Sequence, residues 1–375
     1  MIYLDNSATT KPYPSVLASF QQVAEKYFAN PSSIHSLGGE TEKLLIMARE
    51  QIAQILQIHP EEVVFTSGGT EGNNLAIKGI ALQHQNRGKH IITSQIEHPS
   101  VFDTCKNLEQ LGFDITYLPV NQDGVISIDE LKQSIRPDTI LISVMHVNNE
   151  LGSIQPIEEI SNLVKKHPKL FFHVDDVQGL GKVPLQLTDS GIDLCTFSGH
   201  KIHGLKGTGL MYINKRTKLF PLLHGGNQEK SYRSGTENVA GSVSLARAFR
   251  LMKENERVKQ TYLRSLHDYL RKQLEEMSHV YVNTPIHSAP HIMNISVPGI
   301  KPEIIIHMLA EKDVYISTKS ACSSKEIDES RILAACGYPF ERASSALRIS
   351  LSYDNTLEEL EVFVKLLQQA IQQLI

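Results

Sequence analysis

The chain has 375 residues, a formal net charge of −4, and 41% hydrophobic and 21% charged residues. This composition is typical of a globular protein with a sizeable core and excludes a disordered chain. The nearly balanced charge provides no overall field for nucleic acid or for a membrane surface, so neither is expected as a direct partner. The first residues show no signal peptide and no stretch is apolar for long enough to cross a membrane, which predicts a cytoplasmic protein.

Short apolar runs between residues 61 and 213 predict β-strands that alternate with helical segments, such as 71–85 and 157–166. A further helix is predicted upstream at 37–56, where apolar residues recur on one face. This alternation favours a mostly parallel sheet covered by helices, in which ligands bind at the carboxyl ends of the strands. The predicted strands are 63–65, 90–93, 115–118, 139–144, 171–174, 194–197 and 209–213.

The pattern changes near residue 281 and predicts a smaller α+β region that ends in an amphipathic helix from Thr356. The charged run 253–257 is expected to be the solvated face of a helix that joins two domains. We therefore predict an α/β fold with a large domain and a small domain. The predicted units are an N-terminal segment 1–15 that joins the small domain, a large domain 16–254 and a small domain 255–375.

Lys201 follows the predicted strand 194–197 in a short polar turn. A lysine that attacks a carbonyl group must be held where the pKa of its amine can fall, and a strand end in a ligand site suits this need. Ser198 and His200 precede it and could donate hydrogen bonds to a phosphate. By itself, the turn is equally compatible with a solvated loop lysine.

A second turn, at Gly68 and Gly69, joins the strand 63–65 to a helix that is predicted to begin near Thr70. Backbone N–H groups at a helix start, together with a threonine hydroxyl, can bind an anion. The alternative is an ordinary helix with Thr70 as its N-cap. The lysine of a nucleotide-binding P-loop does not follow these glycines, so such a site is not expected.

Other predicted strand ends carry polar side chains. Asp175 would be costly to bury without a partner, and a protonated pyridine nitrogen would be one. Gln178 could then reach a ring hydroxyl, and His98 could stack on a flat ring or move a proton. Asn149 offers a carboxamide. The alternatives are a solvated or lysine-paired Asp175, a structural His98 and an asparagine that only fixes a turn.

Seven motifs extend over nearly the whole chain. They are YLDNSATT at 3–10, SGGTE at 67–71, HVNNE at 146–150, HVD at 173–175, SGHK at 198–201, RSGTEN at 233–238 and SACSS at 320–324. In this order they resemble the cysteine desulfurases of the NifS/IscS type, which form part of the class V aminotransferase branch of fold-type I pyridoxal phosphate enzymes. The resemblance runs from Tyr3 to about Leu351.

The resemblance implies a homodimeric enzyme that binds pyridoxal 5′-phosphate in its large domain and removes sulfur from L-cysteine. Lys201 would hold the cofactor covalently, Asp175 would face the pyridine nitrogen and His98 would stack on the ring. Gln178 and Asn149 would lie on the side of the ring hydroxyl. The phosphate would be bound by Gly69, Thr70, Ser198 and His200, and by Thr236 of the other subunit.

The resemblance also assigns the substrate to Arg348 and Asn149. The planar guanidinium of Arg348 would bind the cysteine carboxylate, a task for which arginine is suited because it can donate two parallel hydrogen bonds. Either Lys201 or His98 would move the α-proton of the substrate. No metal ion is expected in this reaction.

Cys322 lies in a small, polar run with Lys319 and Lys325 on either side. Nearby positive charge favours the nucleophilic thiolate. The resemblance implies that this thiolate attacks the substrate sulfur, that alanine is released, and that a persulfide remains on Cys322. A surface cysteine of no consequence is the alternative. The other cysteines, Cys105, Cys195 and Cys336, are expected to be structural.

Two features depart from the family pattern. Lys319 stands where a glycine is expected before Ser-Ala-Cys, and the chain stops at Ile375, whereas members that assemble iron–sulfur clusters usually carry a longer C-terminal tail. The sulfur acceptor is therefore expected to be either a tRNA sulfurtransferase or an iron–sulfur scaffold. The absence of a longer C-terminal tail makes the tRNA sulfurtransferase plausible.

Three other functions stay open at this point. A selenocysteine lyase would use the same cofactor residues, and an ordinary class V aminotransferase would not need Cys322. A non-catalytic binding subunit could share the fold, although Lys201, Asp175 and Cys322 together argue against it.

Overall fold

The computed structural model describes residues 1–318 and 329–375. Its strands are β1 (Ile2–Tyr3), β2 (Val63–Thr66), β3 (His90–Ser94), β4 (Asp114–Leu118), β5 (Thr139–Met145), β6 (Phe171–Asp175), β7 (Leu194–Ser198), β8 (Gly209–Ile213), β9 (Tyr281–Val282), β10 (Ile292–Ser296), β11 (Val314–Tyr315) and β12 (Ala346–Ser350). Its α-helices are α1 (Pro14–Lys26), α2 (Ser36–Leu56), α3 (Gly69–His84), α4 (Pro99–Glu109), α5 (Ile128–Ser134), α6 (Ile157–Val164), α7 (Val239–Lys253), α8 (Glu256–Glu275), α9 (Pro302–Ala310), α10 (Arg331–Ala335), α11 (Phe340–Ala343) and α12 (Leu357–Leu374).

The large sheet has seven strands in the order β2-β8-β7-β6-β5-β3-β4. Strands β3 to β7 run parallel to one another, whereas β8 runs antiparallel to both β7 and β2. The predicted mostly parallel sheet is confirmed, and each predicted strand matches an observed one to within a residue or two. The carboxyl ends of the parallel strands meet at one edge, where a ligand site is expected.

Helices cover both faces of this sheet, because its central strands are apolar on both sides. Along β5, Leu141 packs in one core with residues of α3 and α4. The next residue, Ile142, points to the opposite face and packs in a second core with residues of α1, α2, α6 and α7. Side chains of successive strand residues alternate between faces, so a buried strand contributes to both layers.

The second half of the chain builds a separate apolar core from α8, α9, α12 and the sheet of order β12-β10-β9. Strand β1 pairs in parallel with β11, so the first residues of the chain join this region. Asn6 and Ser7 then bond to Ser350 at the end of β12. These separate cores support our proposal of a small domain that begins near residue 255 and includes the N-terminal strand.

The charged run at 253–257 does not form a continuous helix, which corrects the expectation. Helix α7 ends at Lys253, Glu254 is extended, and Asn255 adopts a left-handed conformation with φ of 56° before α8 begins. Asparagine is among the residues that tolerate this conformation. Within residues 1–318 and 329–375, no helix is long and apolar enough to span a membrane.

Candidate active site

A cavity of about 170 Å³ opens at the carboxyl ends of β5, β6 and β7, beside the N-terminus of α3. Ten residues predicted for the site line it: Gly69, Thr70, His98, Asn149, Asp175, Gln178, Ser198, His200, Lys201 and Arg348. The topology explains this convergence, since parallel strands deliver the residues that follow them to the same edge of the sheet.

Lys201 lies in a single helical turn directly after β7. Its ammonium group donates hydrogen bonds to the backbone carbonyls of Ser7 and Ala8, the latter at 2.9 Å. Its own backbone carbonyl accepts a hydrogen bond of 3.0 Å from the side chain of Lys182. Lys182 is buried, and burial lowers the pKa of its amine to about 8. The N-terminal segment and a buried lysine thus hold Lys201 from two sides.

Asp175 is the last residue of β6 and is almost completely buried. One carboxylate oxygen accepts a hydrogen bond from the backbone N–H of Val177 at 3.0 Å, and the other accepts one from Asn73 at 2.7 Å. Burial raises the pKa of this carboxyl group to about 6, against the opposing effect of the two hydrogen bonds. A cationic partner in the cavity would favour its ionised form.

Gln178 has both ends of its amide engaged. Its Nε2 donates to the carbonyl of Ser7 at 3.0 Å, and its Oε1 lies 3.3 Å from Nε2 of His291. Since Gln178 donates toward the same carbonyl that Lys201 contacts, the two side chains converge on one point of the N-terminal segment.

The opposite end of the cavity is suited to an anion. The hydroxyl of Ser198 is buried and has no hydrogen-bond partner among the described residues. Helix α3 begins there at Gly69, next to the predicted start near Thr70, and Gly68 rather than Thr70 is its N-cap, at φ of 148°. A Cβ atom on Gly69 would lie 2.9 Å from Val177, so the helix start fits closely only without a side chain. Free N–H groups of a helix start favour anions.

His200 and His98 are two neutral rings at the cavity. His200 lies 3.2 Å from the hydroxyl of Thr9 through its Nδ1, and burial together with the charge of Lys201 lowers its pKa to about 3. Burial and the same lysine lower the pKa of His98 to about 4. Neither imidazole therefore carries a charge near neutral pH.

Arg348 reaches the cavity from β12 of the second half of the chain and is 1% exposed. It donates to the carbonyl of Asn149 at 2.9 Å and to the carboxylate of Asp5 at 3.0 Å. A weaker contact of 3.3 Å joins it to the hydroxyl of Ser317. Its Nε has no partner among the described residues, so a donor remains for a further acceptor.

One predicted site residue among the described residues does not line this cavity. Thr236 is exposed, and its neighbours Gly235 and Glu237 line a different cavity of about 100 Å³. Its predicted contact with the phosphate of another subunit stays a prediction. Cys322 belongs to residues 319–328, which lie outside the described residues. Before these residues, the backbone of Ser317 pairs with that of Arg348. After them, the hydroxyl of Ser330 donates to the carboxylate of Glu150 at 2.7 Å.

Several residues of the cavity have no role predicted from the sequence. Asn73 and Ser100 line it with polar groups, and the carbonyls of Ser7 and Ala8 receive Lys201. Asn73 lies on the buried face of α3, which is an unusual place for an amide. A buried amide needs hydrogen-bond partners. An asparagine at an otherwise apolar position of a predicted helix therefore indicates a polar site nearby.

The family model for class-V aminotransferases matches residues 2–363. The chain belongs to this family. It is 45% identical to a NifS/IcsS protein homolog of Lactobacillus delbrueckii subsp. bulgaricus, over 97% of this chain and 95% of the relative. It is 43% identical to the cysteine desulfurase IscS of Dictyoglomus turgidum, over 100% of this chain and 95% of the relative. A solved structure of a NifS-like protein superposes with a TM-score of 0.94 at 36% identity, covering 99% of both chains.

These similarities place the chain among the cysteine desulfurases of this family, whose members depend on pyridoxal phosphate. The predicted fold, family and cofactor are confirmed, and the relatives favour a desulfurase over a selenocysteine lyase. The cavity fits the cofactor. Asp175 could face a protonated ring nitrogen, and Lys201 offers the amine. The hydroxyl of Ser198, which has no partner in the described part of the chain, lies at the helix start that would receive the phosphate.

Proposed function

We propose that this enzyme removes sulfur from L-cysteine, releases L-alanine and carries the sulfur as a persulfide on Cys322. One observation carries the proposal: a single cavity holds an amine, a buried carboxylate and an arginine, contributed by Lys201, Asp175 and Arg348. The first two are what a pyridoxal enzyme needs for its cofactor, and the third binds an amino-acid carboxylate.

Pyridoxal phosphate, when bound, supplies an electron sink for the bonds of the substrate α-carbon. Asp175 would keep the ring nitrogen protonated, and His98 would stack on the ring. Gln178 and Asn149 would lie on the hydroxyl side. The phosphate would be held by Gly69, Thr70, Ser198 and His200, with Thr236 supplied by the partner subunit of a homodimer.

Arg348 would fix the substrate through its carboxylate. Its pairing with Asp5 and with the carbonyl of Asn149 holds the guanidinium in place before the substrate arrives. Such preorganisation lowers the entropy lost on binding. The substrate carboxylate could accept a hydrogen bond from the remaining Nε donor.

Cys322 would perform the sulfur transfer. Its thiolate attacks the substrate sulfur, the carbon–sulfur bond breaks, and the electron pair of that bond stays with the substrate, which takes up protons to become alanine. The described cysteines support this assignment, because Cys105, Cys195 and Cys336 are all buried. Burial raises the pKa of each thiol, to about 12 for Cys336, so none of them supplies a thiolate near neutral pH.

The partner that takes the persulfide sulfur would be a protein thiol, either on a tRNA sulfurtransferase or on an iron–sulfur scaffold. The exposure of Thr236 outside the cavity supports a homodimer in which this residue serves the other subunit. Cytoplasmic location is part of the same proposal.

The decisive experiment measures sulfide and alanine released from L-cysteine in the presence of a thiol reductant. We expect the parent protein to release the two in equal amounts, and Cys322→Ala to remain yellow with bound cofactor while releasing almost no sulfide. Cys336→Ala, which removes a buried thiol, serves as the matched control and should retain turnover. Equal rates for the parent and Cys322→Ala would show that Cys322 is not the sulfur carrier.

A further inference from the structure

Asn73 and Ser100 form a chain of hydrogen bonds between Asp175, which is assigned to the ring nitrogen of the cofactor, and His98, which is assigned to the face of the ring. Asn73 projects from α3 and is 1% exposed. Its side-chain nitrogen lies 2.7 Å from an oxygen of Asp175 and 2.9 Å from the hydroxyl of Ser100. That hydroxyl lies 2.8 Å from Nδ1 of His98. The chain of contacts therefore runs without interruption from Asp175 to His98.

The direction of each bond is fixed by the groups involved. A carboxylate can only accept, so the nitrogen rather than the oxygen of the Asn73 amide must face Asp175. The same nitrogen has a second hydrogen, which it donates to the oxygen of Ser100. Ser100 can then donate its own hydroxyl proton to Nδ1 of His98. The amide oxygen of Asn73 is buried and has no partner among the described residues.

A second donor reaches the same nitrogen of His98. The backbone N–H of Ser100 lies 3.1 Å from Nδ1 and, unlike a hydroxyl, cannot reverse its direction. Nδ1 must therefore be the unprotonated nitrogen of the ring. The neutral imidazole then carries its proton on Nε2.

We propose that Asn73 is a positioning residue that joins Asp175 to His98 through Ser100 and thereby reinforces the tautomer of His98 protonated on Nε2, which the backbone N–H of Ser100 also selects. In this tautomer His98 can donate a hydrogen bond from Nε2 but cannot accept a proton there. Of the two residues considered for moving the substrate α-proton, Lys201 is then the one that removes it, and His98 holds the ring face. The inference deepens the proposed function and rests on it, because it takes Asp175 and His98 as cofactor residues.

The tautomer can be observed directly by nitrogen NMR of the full-length, cofactor-loaded protein labelled with ¹⁵N-histidine. The signals of His98 are those that disappear in His98→Gln. We expect an unprotonated Nδ1 and a protonated Nε2 near neutral pH. A proton on Nδ1 would overturn the proposal, whether or not the protein releases sulfide.

The dependence on the relay can be measured with Ser100→Ala and Asn73→Ala. Both should shift the Nδ1 signal of His98, and Ser100→Thr, which keeps the hydroxyl, should restore it. Asn107→Ala removes an exposed amide from α4 that donates to the carbonyl of Asp103, so it should leave the signal in place. Unchanged Nδ1 signals in both relay variants would contradict the proposal.

The connection to Asp175 can be tested by cofactor affinity, measured by titrating the cofactor-free protein and following absorbance. Loss of a hydrogen bond to a carboxylate should weaken binding roughly tenfold in Asn73→Ala. In an Asp175→Ala background, the same change should have no further effect. If the two effects simply add, Asn73 does not act through Asp175 and the proposal is wrong. Sulfide release is not measured here, so failure of the desulfurase proposal would be seen separately.

Discussion

The cavity has two walls of different origin. The first, which we call the cofactor wall, consists of Asp175, Ser198 and Lys201 at the ends of neighbouring strands of one sheet. The second, which we call the substrate wall, is formed by Arg348, which is held by a hydrogen bond to Asp5, 343 positions away in the sequence. One wall is built by local topology and the other by the meeting of distant parts of the chain.

The walls also differ in how their polar groups are satisfied. On the cofactor wall, the Ser198 hydroxyl lacks a partner within residues 1–318 and 329–375, and burial raises the pKa of Asp175. A bound ligand could supply the missing hydrogen-bond partner of Ser198 and a cationic partner for Asp175. On the substrate wall, both Nη atoms of Arg348 already have acceptors, including the Asp5 carboxylate, and only its Nε has none among the described residues. The comparison suggests that cofactor binding and substrate binding can be impaired separately by mutation.

The largest effect should come from Lys201→Ala, which removes the only residue proposed to hold the cofactor covalently. We expect sulfide release below detection and loss of the bound-cofactor absorbance after gel filtration. Lys215→Ala, an exposed lysine just beyond β8, is the control and should keep both. Turnover by Lys201→Ala at the rate of the parent would show that the cofactor wall has been assigned wrongly.

A smaller and different effect is expected from Arg348→Lys on the substrate wall. Lysine keeps the charge but lacks the Nε donor that is left for the substrate carboxylate, so the KM for L-cysteine should increase by roughly tenfold or more, as for a lost charged hydrogen bond. Cofactor affinity should stay within about twofold of that of the parent, because Arg348 is assigned to the substrate and not to the cofactor. A twofold change corresponds to much less than 1.4 kcal/mol of binding free energy.

The matched control for this change is Arg342→Lys. Arg342 is also partly buried, but it donates to Asn283 and to the carbonyl of Val282, away from the cavity. Its substitution should leave the KM unchanged. If Arg348→Lys instead weakened cofactor binding and left the KM for L-cysteine unchanged, mutation would not separate the functions of the two walls.

An effect on stability rather than on turnover is expected for Glu97, a completely buried carboxyl group beside His98. It contacts the hydroxyl of Ser94 at 2.5 Å and the backbone N–H of Met145 at 3.0 Å, and burial raises its pKa from 4.5 to about 8. At a pH between these two pKa values, Glu97 keeps its proton in the folded protein but releases it in the unfolded chain. The free energy of unfolding therefore falls as the pH rises from about 4.5 to about 8. Glu97→Gln, a neutral side chain of similar shape, should abolish this loss.

Chemical denaturation of the parent and Glu97→Gln at pH 5 and pH 8 would measure the difference. The variant should gain stability relative to the parent as the pH rises, by at most about 1.4 kcal/mol per pH unit. Glu361→Gln, an exposed glutamate of α12, should follow the parent. A constant difference between the parent and Glu97→Gln would mean that Glu97 is ionised in the folded protein.

Much of the cofactor wall could be predicted from the sequence, because its residues directly follow apolar strands. Asp175 and Lys201 were placed by that pattern alone, and the strand bounds were off by no more than a residue or two. The turn at Asn255 could not be predicted, since the charged run around it is equally compatible with helix and with a break.

The substrate wall was much less predictable. Arg348 was identified by the family resemblance, and nothing in its surroundings indicated that Asp5 would pair with it. Asn73 was overlooked for a similar reason, because its partners Asp175 and Ser100 come from other elements. Contacts between distant segments are set by tertiary packing, which a local pattern does not contain.

The pairing of β1 with β11 has a consequence for how the enzyme is made. Residues Ser7 and Ala8, which receive the Lys201 ammonium, follow a strand whose partner begins at Val314. During synthesis on the ribosome, β1 therefore cannot pair with β11 until more than 300 further residues have been made. Lys201 emerges long before its pocket is finished, so a nascent chain has the reactive amine without the enclosure that would retain a cofactor.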